Sequence, residues 1–392
     1  MKKKLVFLSL VCAVMLSGCI PGLERSEEDV IVVEETEEEE EMEYLITPTI
    51  ESPDHFYRNV LVDGTYQRSE SRGSVAHSMN SRVDINQFEL GLMEIASGVY
   101  DQEEYFFQEG TFLSGGRINS WLRRYDPEEE RYMYGLNPPL ADEESTEDQM
   151  GDNPLVLSHI MEHNYYTGSE EDGVSLGGVV MGISLNDVYY FQTEDEDGGY
   201  HFHERDIDDE EALEYGQRAA QTMLERMREI EGLEEVPVTF ALYQEEGRGS
   251  VVPGRFVSLS QAGSGEMELG SWEAINEDYF VFPSNRARDV QPNLSSSFSQ
   301  FREDIENFFD HQVGVVGKGR YKNENLDELK IELNLQSHGK AEIIALTQFI
   351  SGRLDSAFSV PAPIYVYIES VNGPEGLVVQ YPEQEPYIHV YR

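Results

Sequence analysis

Residues 208–243 read DDEEALEYGQRAAQTMLERMREIEGLEEVPVTFALY, and this stretch decides the fold. Ala212, Gly216, Ala219, Met223, Met227 and Ile230 recur at helical spacing over Asp208 to Glu231. Acids fill the first turn, Arg226 and Arg228 the last, and Gly232 stops the helix. Val236 to Tyr243 follows as a Pro-led strand, and Arg255 to Ser260 as another beyond a Gly-rich turn. Upstream, Gly177 to Phe191 is β-like, with Asn186-Asp187 as a hairpin turn.

A similar order returns near the end of the chain. Phe298, Phe301, Ile305 and Phe308 mark a helix after Asn293. Leu329, Ile331, Leu333 and Leu335 alternate with polar residues, as in a half-buried strand. Lys340 to Phe358 is helical, and Pro363 to Val371, Leu377 to Tyr381 and Tyr387 to Tyr391 are strands. The stretches 177–260 and 314–391 therefore both read strand, helix, strand pair, as an internal repeat would. The expected fold is α+β, with antiparallel or mixed sheets packed by helices. It divides into a leader (1–18), an acidic disordered tether (19–50), a mostly helical or irregular part (51–170) and an α+β part (171–392).

In the 51–170 part, Ile85, Phe88, Leu92, Ile95 and Val99 predict a helix capped by Asp84 and ended by Gly98. A second helix fits Pro154 to Tyr165. In the tether, Glu34, Glu35, Glu37 to Glu41 and Glu43 form an acid block without apolar periodicity, which repels itself and extends.

The leader sets the address. Lys2, Lys3 and Lys4 precede a run from Leu5 to Leu16 that is apolar except for Ser9. That run is too short for a hydrocarbon core, which takes about 20 residues, and fits a secretory signal peptide. Leu16-Ser17-Gly18-Cys19 closes it, with small residues directly before a Cys. Cleavage between Gly18 and Cys19 would leave Cys19 first in the mature chain, with its thiol acylated. Two acyl chains anchor stably where one does not. The implied partners are the membrane, through Cys19, and the signal peptidase and lipid transferase that mature it. The implied place is the outer face of the cell membrane of a bacterium.

Composition narrows the rest. The 392 residues carry a net charge of −48, of which −40 falls on residues 51–392. The lysines of that body are Lys318, Lys322, Lys330 and Lys340. Nucleic acid needs a basic footprint and is excluded as a partner. The bland reading of the charge is adaptation to high salt or high pH. Cys12 and Cys19 are the two cysteines, so the mature body has no disulfide, thiolate metal site or Cys nucleophile.

Two constellations could carry chemistry. His159-Ile160-Met161-Glu162-His163 matches the H-x-x-E-H pattern of inverted zinc peptidases, which puts both His on one helix face beside a Glu base. The competing reading is a helix with two surface histidines. Thr193 to Glu204 places Asp195, Asp197, Gly198 and Glu204 at calcium-loop positions three, five, six and twelve, but begins on Thr and follows a strand. An acidic hairpin is the alternative there, and His201 and His203 add a pair too small for a zinc site. No nucleophile elbow, phosphate loop or dinucleotide fingerprint occurs. The expectation is no cofactor, no catalytic metal and no enzyme.

Five passages carry a resemblance to a known family. They are Gly135-Leu136-Asn137-Pro138, Gly182 to Tyr190, Val236 to Tyr243, Pro253-Gly254-Arg255-Phe256 and Ile388-His389-Val390-Tyr391. In these, and over nearly the whole mature body, the chain resembles the CamS lipoproteins of Gram-positive bacteria, the sex pheromone precursors. The resemblance implies an exported lipoprotein with an α+β body. It also implies a mating pheromone cut from the leader just before the lipidated Cys. Here that segment is Cys12-Ala13-Val14-Met15-Leu16-Ser17-Gly18. It assigns the body no reaction. The alternatives are an extracellular ligand-binding lipoprotein and a metal-dependent peptidase using His159, Glu162 and His163.

Overall fold

The computed structural model describes residues 31–34, 43–47, 56–70, 79, 82–169, 173–308, 313–336 and 339–392. The leader, Cys19 and the segment Cys12–Gly18 lie outside these residues. Among the described residues, no helix is long and apolar enough to cross a membrane.

The first part of the chain contains β1 (Ile31–Glu34), β2 (Glu43–Ile46), β3 (Arg58–Val62), β4 (Thr65–Tyr66), α1 (Arg82–Ser97), β5 (Tyr105–Glu109), α2 (Gly115–Trp121) and α3 (Thr146–Gly151). It continues with β6 (Leu157–Ser169), β7 (Gly173–Leu185), β8 (Val188–Glu194), β9 (Tyr200–Asp206), α4 (Asp209–Met227), β10 (Val238–Gln244), β11 (Arg255–Ala262) and β12 (Glu273–Ala274). One sheet takes the order β1-β2-β3-β5-β6-β7-β10-β11-β12, with β4 on β3, while β8 and β9 pair separately. The second part holds β13 (Glu277–Phe282), α5 (Asn285–Val290), α6 (Pro292–Phe308), β14 (Gly314–Lys322), β15 (Asn325–Leu335), α7 (Lys340–Ala357), β16 (Ile364–Ser370), β17 (Gly373–Gln380) and β18 (Tyr387–Val390). These strands make a sheet in plain sequence order. The fold is α+β.

The helix α4 forms for the reasons its sequence gives. The carboxylate of Asp208 accepts the N–H groups of Glu210 and Glu211 at 3.0 and 3.2 Å. Ala212, Gly216, Ala219, Met223 and Met227 are all buried. They share a core with Val179, Met181 and Ile183 of β7 and Val238, Phe240 and Leu242 of β10. The alternate residues Val180, Ala241 and Tyr243 face the other way, against Phe88, Leu92 and Ala96 of α1. The first sheet is thus covered on both faces. In the second, Phe298, Phe301 and Ile305 of α6 and Ile343, Leu346 and Ile350 of α7 cover Leu329, Ile331, Leu333, Val366 and Ile368.

The two parts share one topology, and it runs wider than 177–260 and 314–391. The strands β5-β6-β7-β10-β11-β12 and β13-β14-β15-β16-β17-β18 are paired alike throughout. Each central pair, β7 with β10 and β15 with β16, is parallel and joined through a helix; the flanking pairs are antiparallel. The Pro before each crossing strand does the same job: Pro237 accepts the N–H of Val179, and Pro363 that of Leu329, both at 3.0 Å. Among the described residues, the hairpin β8–β9 has no counterpart in the second part.

Several expectations are corrected. Residues 154–165 are not helical; they run into β6, the antiparallel neighbour of β7. The boundary placed at 170/171 falls inside that β6–β7 hairpin, and residues 51–170 supply β3 to β6 of the first sheet. The tether is ordered in part. Ile31, Val32 and Val33 pair with Ile46, Leu45 and Tyr44, and β2 pairs with β3, because β-branched and aromatic residues suit a pleated edge. Asn186-Asp187 is no hairpin turn, since β7 and β8 do not pair; the chain leaves one sheet there for another. Asp84 lies in the first turn of α1 rather than before it. Its carboxylate reaches across to accept from Tyr243 Oη at 2.9 Å and Gly254 N–H at 2.5 Å.

Candidate functional site

The residues His159, Glu162 and His163 do not converge. On a strand, successive side chains alternate between faces, and four residues span about 13 Å. The ring of His159 lies 6.4 Å from Phe88, and that of His163 lies edge-on to Phe107 at 4.9 Å, both on the α1 side. Glu162 points to the opposite face. The helix that would bring the three together is absent because β6 is a central strand, buried on both sides.

Each of the three is explained by packing. His159 and His163 are 0% and 1% exposed. Burial disfavours the imidazolium and lowers their pKa values to about 4 and about 3, so both rings are neutral at pH 7. The carboxylate of Glu162 accepts the backbone N–H groups of Thr111, Phe112 and Leu113 at 3.0, 3.0 and 2.7 Å. It thereby fixes the bend from β5 into α2. Burial raises its pKa, and the N–H groups of Phe112 and Leu113 oppose that rise. Gly110 is required at this bend, because a Cβ there would stand 2.3 Å from the Glu162 side chain.

The calcium-loop residues also separate. Asp195 Oδ1 accepts the N–H groups of Asp197 and Gly199 at 3.0 and 2.7 Å, and Oδ2 meets His201 Nε2 at 2.9 Å. The His201 hydrogen bond, then the backbone N–H groups, hold the Asp195 carboxyl below its ordinary pKa. Gly198 supplies the left-handed position of the turn, at φ +81°. Glu204 stands down the hairpin, opposite Tyr190. His203 bonds Thr193 at 2.8 Å and meets Glu147 at 3.2 Å, so it ties the hairpin to α3. Among the described residues, no group of three or more His, Cys, Asp or Glu side chains could hold a metal ion.

Sequence reasoning missed the seam between the two sheets. Arg320 of β14 pairs with Glu94 of α1 at 2.8 Å, with Asp327 at 3.3 Å, and with the buried carboxylate of Glu277. Lys322 joins Glu94 and Asp327. Two of the four body lysines and arginines on this hairpin face are thus spent on ion pairs across the seam. A cleft of about 550 Å³ opens beside it, lined by Tyr57, Met93, Arg320, Lys330, Tyr365 and Tyr367 among others. The signal available in the sequence was the crowding of rare cations into residues 318–330.

The passage Gly135-Leu136-Asn137-Pro138 is a staple. The buried Asn137 amide donates to Leu122 O and Leu157 O at 2.8 and 2.9 Å and accepts Leu157 N–H at 2.7 Å. A Cβ on Gly135 would stand 2.4 Å from the carbonyl oxygen of Arg124, so only Gly fits. These bonds hold the loop after α2 against β6.

The family model described as CamS sex pheromone cAM373 precursor matches residues 66–386. The crystal structure of a sex pheromone precursor from Lactobacillus salivarius is similar at 28% identity and a TM-score of 0.79, over 89% of this chain and 99% of that one. The C-terminal domain of the sex pheromone staph-cAM373 precursor from Staphylococcus aureus is similar at 26% identity and a TM-score of 0.67, over 81% of this chain and 99% of that one. No curated protein matches. The family is not known as an enzyme family. With a family model spanning most of its length and two solved relatives of the same fold, the chain belongs to the CamS family of sex pheromone precursors.

Proposed function

We propose that this chain is an exported lipoprotein, anchored by an acylated Cys19 on the outer face of the membrane, whose leader releases a peptide signal. The observation that carries the reading is Leu16-Ser17-Gly18-Cys19, at the end of a basic and then apolar leader. Family membership supports the second half, since both solved relatives are described as pheromone precursors. The signal is the segment Cys12 to Gly18. It is uncharged and short enough to leave a bilayer, and its aliphatic part supplies the area that a receptor pocket buries. Relative to an all-aliphatic end, Ser17 and Gly18 reduce that area and weaken the response or change the responder. The body is not an enzyme in this reading. The dispersal of His159, Glu162 and His163 supports that, because a peptidase needs them on one metal.

The test applies three samples to recipient cells carrying a responsive plasmid: a synthetic Cys12–Gly18 peptide, the same peptide with Leu16→Asp, and purified residues 20–392. Mating aggregation or transfer is scored. The reading expects a response to the first alone. A response to the body, or equal responses to both peptides, overturns it.

A further inference from the structure

The loop after α2 and the outer side of α4 enclose a groove of about 310 Å³. Tyr125, Leu136, Tyr215, Arg218, Thr222 and Arg226 line it. Arg218, Thr222 and Arg226 are spaced four apart on α4, one stripe about 12 Å long. The floor is rigid, because Tyr215 Oη donates to Leu136 O at 2.7 Å and Asn137 staples the loop to β6.

Asp and Glu outnumber Lys and Arg by 76 to 28, so a guanidinium should find a carboxylate. Around this groove aromatic rings take that place. Arg226 lies 5.8 Å from the rings of both Trp121 and Tyr134, and its Nη1 donates to Tyr134 O at 2.8 Å. Arg218 lies 5.4 Å from Tyr215, and Arg123 and Arg131 each lie 5.6 Å from Tyr132. Among the described residues Arg226 has no ion pair, and Arg218 has one exposed contact with Glu214 at 3.7 Å, of the kind that contributes little. Burial lowers the pKa of Arg226, as expected of a guanidinium short of water. Glu225 and Glu229 oppose that lowering from a distance.

The duplicated fold supplies a contrast. On α7, the matching helix of the second part, Lys340 pairs with Glu375 and Arg353 with Asp304. The cations of α4 that face the groove are left with N–H edges to offer. Tyr125 and Tyr134 stand beside them, 43% and 53% exposed.

We propose that this groove binds a short acidic sugar, with its ring against Tyr125 and its carboxylate or phosphate on Arg218 and Arg226. Guanidinium forks match either group through paired N–H bonds. A volume of about 310 Å³ is near the lower end of ligand cavities, about 300–1,000 Å³, and suits one sugar unit. The net charge of −48 repels long polyanions and selects for a small ligand.

The test is titration calorimetry of the full mature chain in detergent at low salt. The probes are glucuronate, glucose 6-phosphate, glucose and inorganic phosphate. Saturable binding is expected for glucuronate or glucose 6-phosphate, about tenfold or more tighter than for glucose or inorganic phosphate. Which acid binds assigns the carboxylate or the phosphate. Arg226→Gln weakens binding by about tenfold or more, and Arg288→Gln leaves it unchanged. If Arg226→Gln does not fold, the exposed Arg218→Gln serves in its place. Absence of saturable binding, inorganic phosphate binding as tightly as the sugar acid, or full affinity in the folded groove variant overturns the proposal.

Discussion

Arg320 and Glu277 form a buried ion pair at the seam of the two sheets. The Glu277 side chain is 1% exposed and that of Arg320 12%. Glu277 also accepts the N–H of Phe256 at 3.1 Å, so a residue that opens the second sheet completes the edge of β11 in the first. Arg320 in turn reaches Glu94 on the helix that covers the first sheet.

That geometry predicts a large effect for Arg320→Gln. Removing one partner leaves Glu277 buried and uncompensated, at a cost of about 3–5 kcal/mol. The loss should fall on the contact between the two parts. Denaturant melts followed by fluorescence and circular dichroism are expected to shift down and separate into two transitions. A single transition at the parent midpoint contradicts the lock.

Glu162→Gln should destabilise the chain by about 3 kcal/mol, because an amide offers one oxygen where three backbone N–H groups converge on two. Added zinc should leave the melting temperature of the parent unchanged. A zinc-dependent rise that His163→Ala removes would restore the peptidase reading.

Buried neutral histidines set an acid limb. The pKa of His163 falls from about 6.5 unfolded to about 3 in the fold. A depressed pKa means that the unfolded chain binds the proton first. The stability is therefore present above pH 6.5 and lost as the pH falls toward 3. His163→Leu removes that loss. Relative to the parent, the variant should gain about 3 kcal/mol between pH 7 and pH 4. Parallel pH-dependent melts of the two proteins would contradict the assignment.

Salt should stabilise this body. Its −40 charge repels itself, and screening shortens the range from about 8 Å at physiological ionic strength to about 3 Å at 1 M. Thermal midpoints in rising sodium chloride are expected to climb; a flat or falling series contradicts the account.

What the sequence disclosed depends on how each element is solvated. The helix α4 is legible because one face is wet: acids cap its start and its apolar stripe keeps helical phase. The strands of the second sheet are legible for the same reason, with Leu329, Ile331 and Leu333 buried and their neighbours half-exposed. By contrast β6 hid as a helix. Buried on both faces, it lacks the period-two signal, and His159, Glu162 and His163 look like surface residues until their packing is seen. The repeat was legible only in its core because the β8–β9 hairpin separates β7 from α4. The cations of the seam and the groove could not be placed from sequence, since their partners lie far along the chain: Glu94 for Arg320, Tyr134 for Arg226.

The lipid anchor is tested most directly by where the protein goes. The account predicts that the parent chain, expressed in a Gram-positive host, partitions into the detergent phase and the membrane fraction. It predicts that Cys19→Ala moves to the aqueous phase and the medium with its leader uncleaved or miscleaved. A Cys19→Ala protein that stays in the membrane fraction like the parent would contradict the anchored-lipoprotein reading.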